Sequence, residues 1–486
     1  MSMGKRSGKQ QPLWVGTGQL PRSAGHRFYE KLNQLLGEAE FDRRVEELCA
    51  PLYGDEHAAG RRSIAPGIYF RMLLVGYFEG IESERGLEWR CRDSLSLREF
   101  LGVSLHELVP DHTTLSRTRL RLPASVYDAV FKLVLGIVEA KGLLRGKVAG
   151  VDSTFLRADA SMKAIVRRDT GASYQEYLKK LAEEAGIENP TAEDGRRLDR
   201  KRKGKRTSNE EWKSKTDEDA EIARLKDGRT RLAYKAEHVV DMETGAVLAA
   251  TIHTATTADT ASLSTALDEA RGNVESARAA STSPDDGGRD DDDEPKGPSA
   301  VVEVVADKGY HKAELLDELK DKGYRTYIAV PAQRGTRRWH DKGGFFTART
   351  FYANRERTRR AKGKSLLRRR GEVLERTFAH VCETGGHRRV RLRGRENVEK
   401  RYVIQVAAMN LGLVMRAALG RGTPRQAADA RKGRFGAFFV VWAAWMAVVT
   451  TIAARVVTIA SGLWLTAPIR RTWGPLPITP ESATGC

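Results

Sequence analysis

A chain of 486 residues is long enough for two or three domains and a sizeable core. Its 83 Lys and Arg against 64 Asp and Glu give a formal charge of +19, which favours a polyanionic partner, either nucleic acid or an anionic membrane face. Cys49, Cys91, Cys382 and Cys486 stand far apart with no CxxC pair, so neither a zinc ribbon nor a disulfide framework is indicated.

Residues 1–24 are Gly-rich, polar and basic, and read as a disordered tail. No apolar stretch follows the opening MSMGKRSGKQQPLW, so no secretory signal is expected and a reduced cytoplasmic setting is the default. From 25 to 145 apolar residues recur three and four apart, the period of a helical domain. PGIYFRMLLVGYFEGI opens with Pro66, suited to a helix's first turn, and ASVYDAVFKLVLGIVEAKG follows Pro123. Between them, Asp111 or Thr113 can cap a short basic helix in PDHTTLSRTRLRLP.

The period then changes. KVAGVDSTFLRA (147–158) reads as a strand, and 231–255 as two strands turning at Glu243-Thr244-Gly245. TADTASLSTALDEARGNVESA is helical, AVVEVVADKGY a buried strand, HKAELLDELKDKGY a helix ended by Gly323, and RTYIAVPA a last strand. This order predicts an α/β catalytic domain over 146–420 with a mixed sheet, interrupted by insertions at about 160–230, 283–299 and 332–365. Residues 421–486 read as a hydrophobic helical tail; 435–454 carry no charge over 20 residues, long enough to span a bilayer, with a buried or dimerising helix the favoured alternative.

Three acids stand out. Asp152 and Asp307 each close a short apolar, β-branched run, as at the exposed tip of a buried strand, and Glu375 lies in a helical stretch after the most basic part of the chain. Carboxylates from neighbouring strand ends and a helix form an oxygen cage for Mg²⁺ or Mn²⁺, and a pair of such ions suits phosphodiester cleavage. Taken singly, a strand-end Asp is an ordinary turn or cap residue.

From Arg334 to Arg370 fourteen basic residues face only Asp341 and Glu356, a local charge of +12 that would neutralise several phosphates. The interleaved Trp339, Phe345, Phe346, Phe351 and Tyr352 either stack on an unpaired base or pack a small β subdomain. AKGKS (361–365) is no phosphate loop, because Thr358 stands where that motif needs Gly.

PDHTTLSRTR, GVDST, RLAYKAEHVVDMETGAVLA, VADKGYHKAELLDELKDKGY and GEVLERTFAHVCETGGHRRVRLRGRENVEKRYVIQVAAMNLGLVMR, in this order, resemble the DDE transposases of bacterial insertion sequences. The resemblance implies a ribonuclease-H-like catalytic domain after a helical DNA-binding domain. It implies hydrolysis at element ends and strand transfer to target DNA, two Mg²⁺ or Mn²⁺ ions, and double-stranded DNA as partner. A homodimer to join two ends and a cytoplasmic, nucleoid-associated setting also follow from it, with a membrane role not expected. It assigns Asp152, Asp307 and Glu375 as metal-binding catalytic residues, Glu375 by its LERTF context, with Glu372 left open as the alternative. Lys308 and Tyr310 then become candidate end contacts, or else ordinary strand-end residues. Arg368, Arg369, Arg370 and Arg376 are further DNA candidates, as are Arg117 and Arg119, for which an exposed basic helix face is the other explanation. A non-catalytic DNA-binding repressor is the alternative function.

Overall fold

The computed structural model describes Gly16 and residues 24–53, 63–281, 301–332 and 344–427. One compact unit runs to Ala427; the second, Ala428–Cys486, lies outside the described residues. So do nearly all of the basic tail, the acidic loop 283–299, the apolar stretch 435–454, Trp339, and the side chains of Phe345 and Phe346.

Among the described residues seven α-helices come first: α1 (Ala24–Glu38), α2 (Phe41–Cys49), α3 (Pro66–Glu79), α4 (Glu84–Asp93), α5 (Leu95–Leu101), α6 (His112–Arg121) and α7 (Ala124–Ala140). Their ends follow local chemistry. Pro66 opens α3, whose first N–H would have no partner, and Gly80 closes it at φ 68°, a conformation other residues resist. Asp111, not Thr113, caps α6, its Oδ1 accepting the Thr114 N–H at 2.6 Å.

The sheet follows. β1 (Val148–Arg157), β5 (Thr230–Asp241), β6 (Val247–Thr254), β7 (Glu303–Ala306) and β8 (Arg325–Ile328) form a mixed sheet in the order β6-β5-β1-β7-β8, with β4 (Glu221–Arg224) pairing the start of β5. β5 runs antiparallel to β1 and β6, whereas β7 is parallel to β1 and β8. All four residues of β7 are buried, and after Glu303 it is apolar, as suits a strand covered on both faces.

The segment between β1 and β4, expected as an insertion, folds as β2 (Ile165–Arg167) paired with β3 (Trp212–Ser214), with α8 (Tyr174–Glu184), α9 (Ala192–Lys201) and α10 (Ser208–Glu211). α11 (Asp259–Ser281) and α12 (Ala313–Asp321) connect the later strands. Residues from 344 do not form a small β subdomain. They build α13 (Gly344–Arg359), with Phe351 buried beside His311 and Tyr352 47% exposed. α14 (Ala361–Ala379) contains the AKGKS run in its first turn.

Alternation along the strands sorts the layers. Gly150 and His238 face α14 and α15 (Arg395–Leu419), whereas Ser153 and Glu237 face α11. α15 lies against α3, α7 and β6, which joins the helical region to the sheet. By length and composition the stretch from Arg395 to Ala427 could cross a membrane, but most of it is buried within the fold, as expected of a core helix.

Candidate active site

β1 is buried through Val151, and from Asp152 to Phe155 it is half open. Its ladder with β7 pairs Val148 with Glu303, Ala149 with Val304 and Gly150 with Val305. Asp152 lies two residues past the last of these pairs and Asp307 one residue past the end of β7, near enough for their charges to interact. Burial pushes the Asp152 carboxyl above its ordinary range, and the like charge of Asp307 adds to it. Arg370 opposes this shift from α14, its Nη1 lying 3.0 Å from Asp152 Oδ2 and donating to the Val151 carbonyl at 3.2 Å. Asp152 Oδ1 accepts the Ser153 N–H at 2.8 Å, and Asp307 Oδ1 accepts the Gly309 N–H at 2.7 Å.

α14 crosses the sheet from β8 and β7 toward β1 and β5. Arg370, Leu374 and Thr377 share its inward face, and Leu374 fits because Gly150 lacks a side chain: a Cβ there would meet Leu374 Cδ1 at 2.7 Å. Arg369 donates to the Glu243 carbonyl at the β5–β6 turn, and Glu372 pairs with Arg376 at 2.7 Å above the same turn. At 100° per residue, Glu375 instead follows the flank of Gly371 and Phe378, toward the strand ends that carry the aspartates. It is exposed, and among the described residues it has no ion-pair partner.

The structure thus brings Asp152 and Asp307 near one another, while Glu375 contributes no charge interaction to Asp152 among the described residues. Among the described residues no three acids close into a ready-made metal cage. The donor set nevertheless suits a hard divalent cation: carboxylate oxygens, one of them on a carboxyl whose charge is disfavoured by burial and by a like-charged neighbour.

The DNA candidates divide. Lys308, Arg117 and Arg368 are exposed. Arg369 and Arg376 are exposed but tied to the helix and turn described above. Arg370 is turned to Asp152. Two candidates point inward. Tyr310 is 1% exposed and its hydroxyl donates to Glu237 at 2.8 Å, while Arg119 is ion-paired with Glu84 in a largely covered contact. Neither offers its polar atoms to a DNA surface, because each has found a carboxylate inside the fold.

Three groups beside the aspartates were not expected from the sequence. Asp259, first residue of α11, accepts the Ser153 hydroxyl at 3.0 Å and pairs with the buried Lys235 at 2.5 Å. Its other oxygen and Asp307 Oδ1 flank Gly309, at 2.8 and 3.0 Å from where a Cβ would sit. His238, directly opposite Asp152 in β5, stacks on Phe378 at 4.2 Å. An Asp opening a helix reads as an ordinary cap, and a Lys or His alternating along a strand gives no further signal.

A mixed sheet in this order, with aspartates at two central strand ends, defines a ribonuclease-H-like catalytic domain. The family models agree: Transposase DDE domain matches residues 151–411, more than half of the chain, and Transposase domain (DUF772) matches residues 19–121. The chain belongs to the DDE transposase family, whose members act on DNA. No curated protein and no solved structure matches it.

Proposed function

We propose that this transposase hydrolyses DNA strands at the ends of its element and joins the freed 3′ hydroxyl to target DNA, using Asp152, Asp307 and Glu375. The observation that carries the reading is that Asp152 and Asp307 follow the paired ends of adjacent parallel strands, near enough for their like charges to repel, with α14 laid over β1 and β7. Mg²⁺ or Mn²⁺ ions held by these carboxylates would supply an activated oxygen nucleophile and counter-charge for the departing 3′ oxygen.

The chain's own residues do the rest. Arg370 is the counter-charge of Asp152, and it can turn toward a phosphate once that carboxylate is engaged elsewhere. Asp259 and Lys235 hold Ser153, and through it the strand tip that presents Asp152. Lys308 stands exposed next to Asp307, within reach of the strand being cut. Exposed Arg368 extends the positive surface on the flank of Glu375. Joining two ends in one event calls for two copies of the chain acting together, in the cytoplasm at the nucleoid.

The test is nicking of DNA carrying the element's ends. Asp152→Ala and Asp307→Ala are each expected to abolish Mg²⁺-dependent nicking and strand transfer while DNA binding stays measurable. Undiminished cleavage by both variants rejects the assignment; binding without products by the parent protein points to a repressor instead.

A further inference from the structure

Arg157 closes β1, five residues beyond Asp152, and its backbone is locked in place. Its N–H donates to the Arg388 carbonyl at 3.1 Å, and the Val390 N–H donates to its own carbonyl at 2.9 Å, so segment 388–390 lies alongside the strand. Beside it opens a cavity of about 620 Å³ whose lining includes Arg157, Lys163, Arg231, Arg389 and Arg393, with Asp159 the one acid among its described lining residues.

The charges there do not balance. Asp159 serves two of the cations, Arg389 at 2.8 Å and Arg393 at 3.3 Å. Arg231 reaches Asp227 only at 3.7 Å, and among the described residues the side chains of Arg157 and Lys163 have no acid partner. Arg389 Nε is buried without a hydrogen-bond acceptor among those residues. Burial pushes the Arg157 guanidinium below the ordinary arginine range, and the like charges of Arg231 and Arg389 push it further the same way. Cations that repel one another around an open cavity are stabilised by an anion entering it, and guanidinium forks match the paired oxygens of a phosphodiester.

We propose that this cavity binds the backbone phosphates of the DNA duplex flanking the cleavage position. Five strand residues span about 17 Å. That corresponds to about five base pairs along a duplex from the bond being cut, at roughly 3.4 Å each. Only this placement rests on the proposed active site; the phosphate binding itself does not.

The full chain, without divalent ions, is titrated with a short labelled duplex of mixed sequence across about 50 to 200 mM salt. Arg157→Ala and Arg231→Ala are each expected to weaken binding and to flatten the dependence of log Kd on log salt by about 0.9 for every phosphate no longer neutralised. Arg157→Lys should keep most of the parental slope. Thermal melting confirms that the compared variants are folded; if Arg157→Ala is not, Arg231→Ala carries the test alone. A parental slope in the folded arginine variants overturns the proposal. So does inorganic phosphate stabilising the parent but not those variants while their DNA slopes stay parental, which would mark a small-anion site. Neither result touches the active-site reading, which fails only if cleavage survives removal of the Asp152 and Asp307 carboxylates.

Discussion

The strand ends and the helix α14 deliver their acids by different physics. On β1 and β7, parallel pairing through Gly150 and Val305 carries Asp152 and Asp307 to neighbouring strand ends, and a slip of one residue would turn either to the other face of the sheet. On α14 the placement is rotational: Glu372 and Glu375 differ by about 60° around the helix, and side-chain packing alone selects between them. A sheet therefore specifies a pair of neighbouring acids sharply. A helix laid across it specifies the third more loosely, and only as well as its inward face is held.

The largest expected effect separates the two glutamates. Glu375→Ala should abolish nicking as completely as the strand aspartate variants do. Glu372→Ala should retain it and change stability by no more than about 0.5 kcal/mol, because its partner Arg376 is an exposed neighbour one turn away. Cleavage assays and denaturant midpoints on the two variants decide the matter. Inactive Glu372→Ala alongside active Glu375→Ala would reverse the choice.

A smaller effect comes from the seat of the helix. At Gly150 a Cβ would sit 2.5 Å from Met242 Sδ and 2.7 Å from Leu374 Cδ1. Gly150→Val should therefore lift α14 from β1 and destabilise the fold by about 1–3 kcal/mol, measurable as a lower denaturant midpoint. Asp152 and Asp307 keep their register in such a variant, so nicking should fall through the displaced helix while the strand pair stays intact.

What can be read from the chain tracks this same division. The strands, their hairpin and the helix ends at Pro66 and Gly323 follow from side-chain period and backbone preference, which are local properties. The nearness of Asp152 and Asp307 follows from two similar strand endings once they are set in adjacent parallel strands. The inward turn of Tyr310 and Arg119 is not legible, because Glu237 and Glu84 lie 73 and 35 residues away and only the tertiary fold unites them. α13 reads as possible strand structure because its aromatics, Phe351 and Tyr352, suit a sheet as readily as a helix. Asp259 and His238 escape notice in the sequence because their chemistry lies entirely in their neighbours.

His238 is the sharpest probe of how α14 is held. Thr377 Oγ1 donates to the Leu374 carbonyl at 2.9 Å, so the imidazole must donate from Nδ1 to Thr377 at 3.2 Å. Nε2 is then the acceptor for the Tyr402 hydroxyl at 2.8 Å. A neutral ring thus ties β5 to both α14 and α15, and burial lowers its pKa from 6.5 to about 3. The unfolded chain gains a proton below 6.5 that the folded chain refuses until about 3, so this stability is present above 6.5 and is lost as pH falls. The expected fall is about 1.4 kcal/mol per pH unit inside that window. In His238→Gln that part of the slope should vanish, and His387, also lowered by burial, titrates in both proteins and cancels in the comparison. Denaturant midpoints of the two chains between neutral pH and pH 5 should converge as acid is added; parallel curves would mean that the ring carries its proton within the fold and does not pin the helix as a neutral wedge.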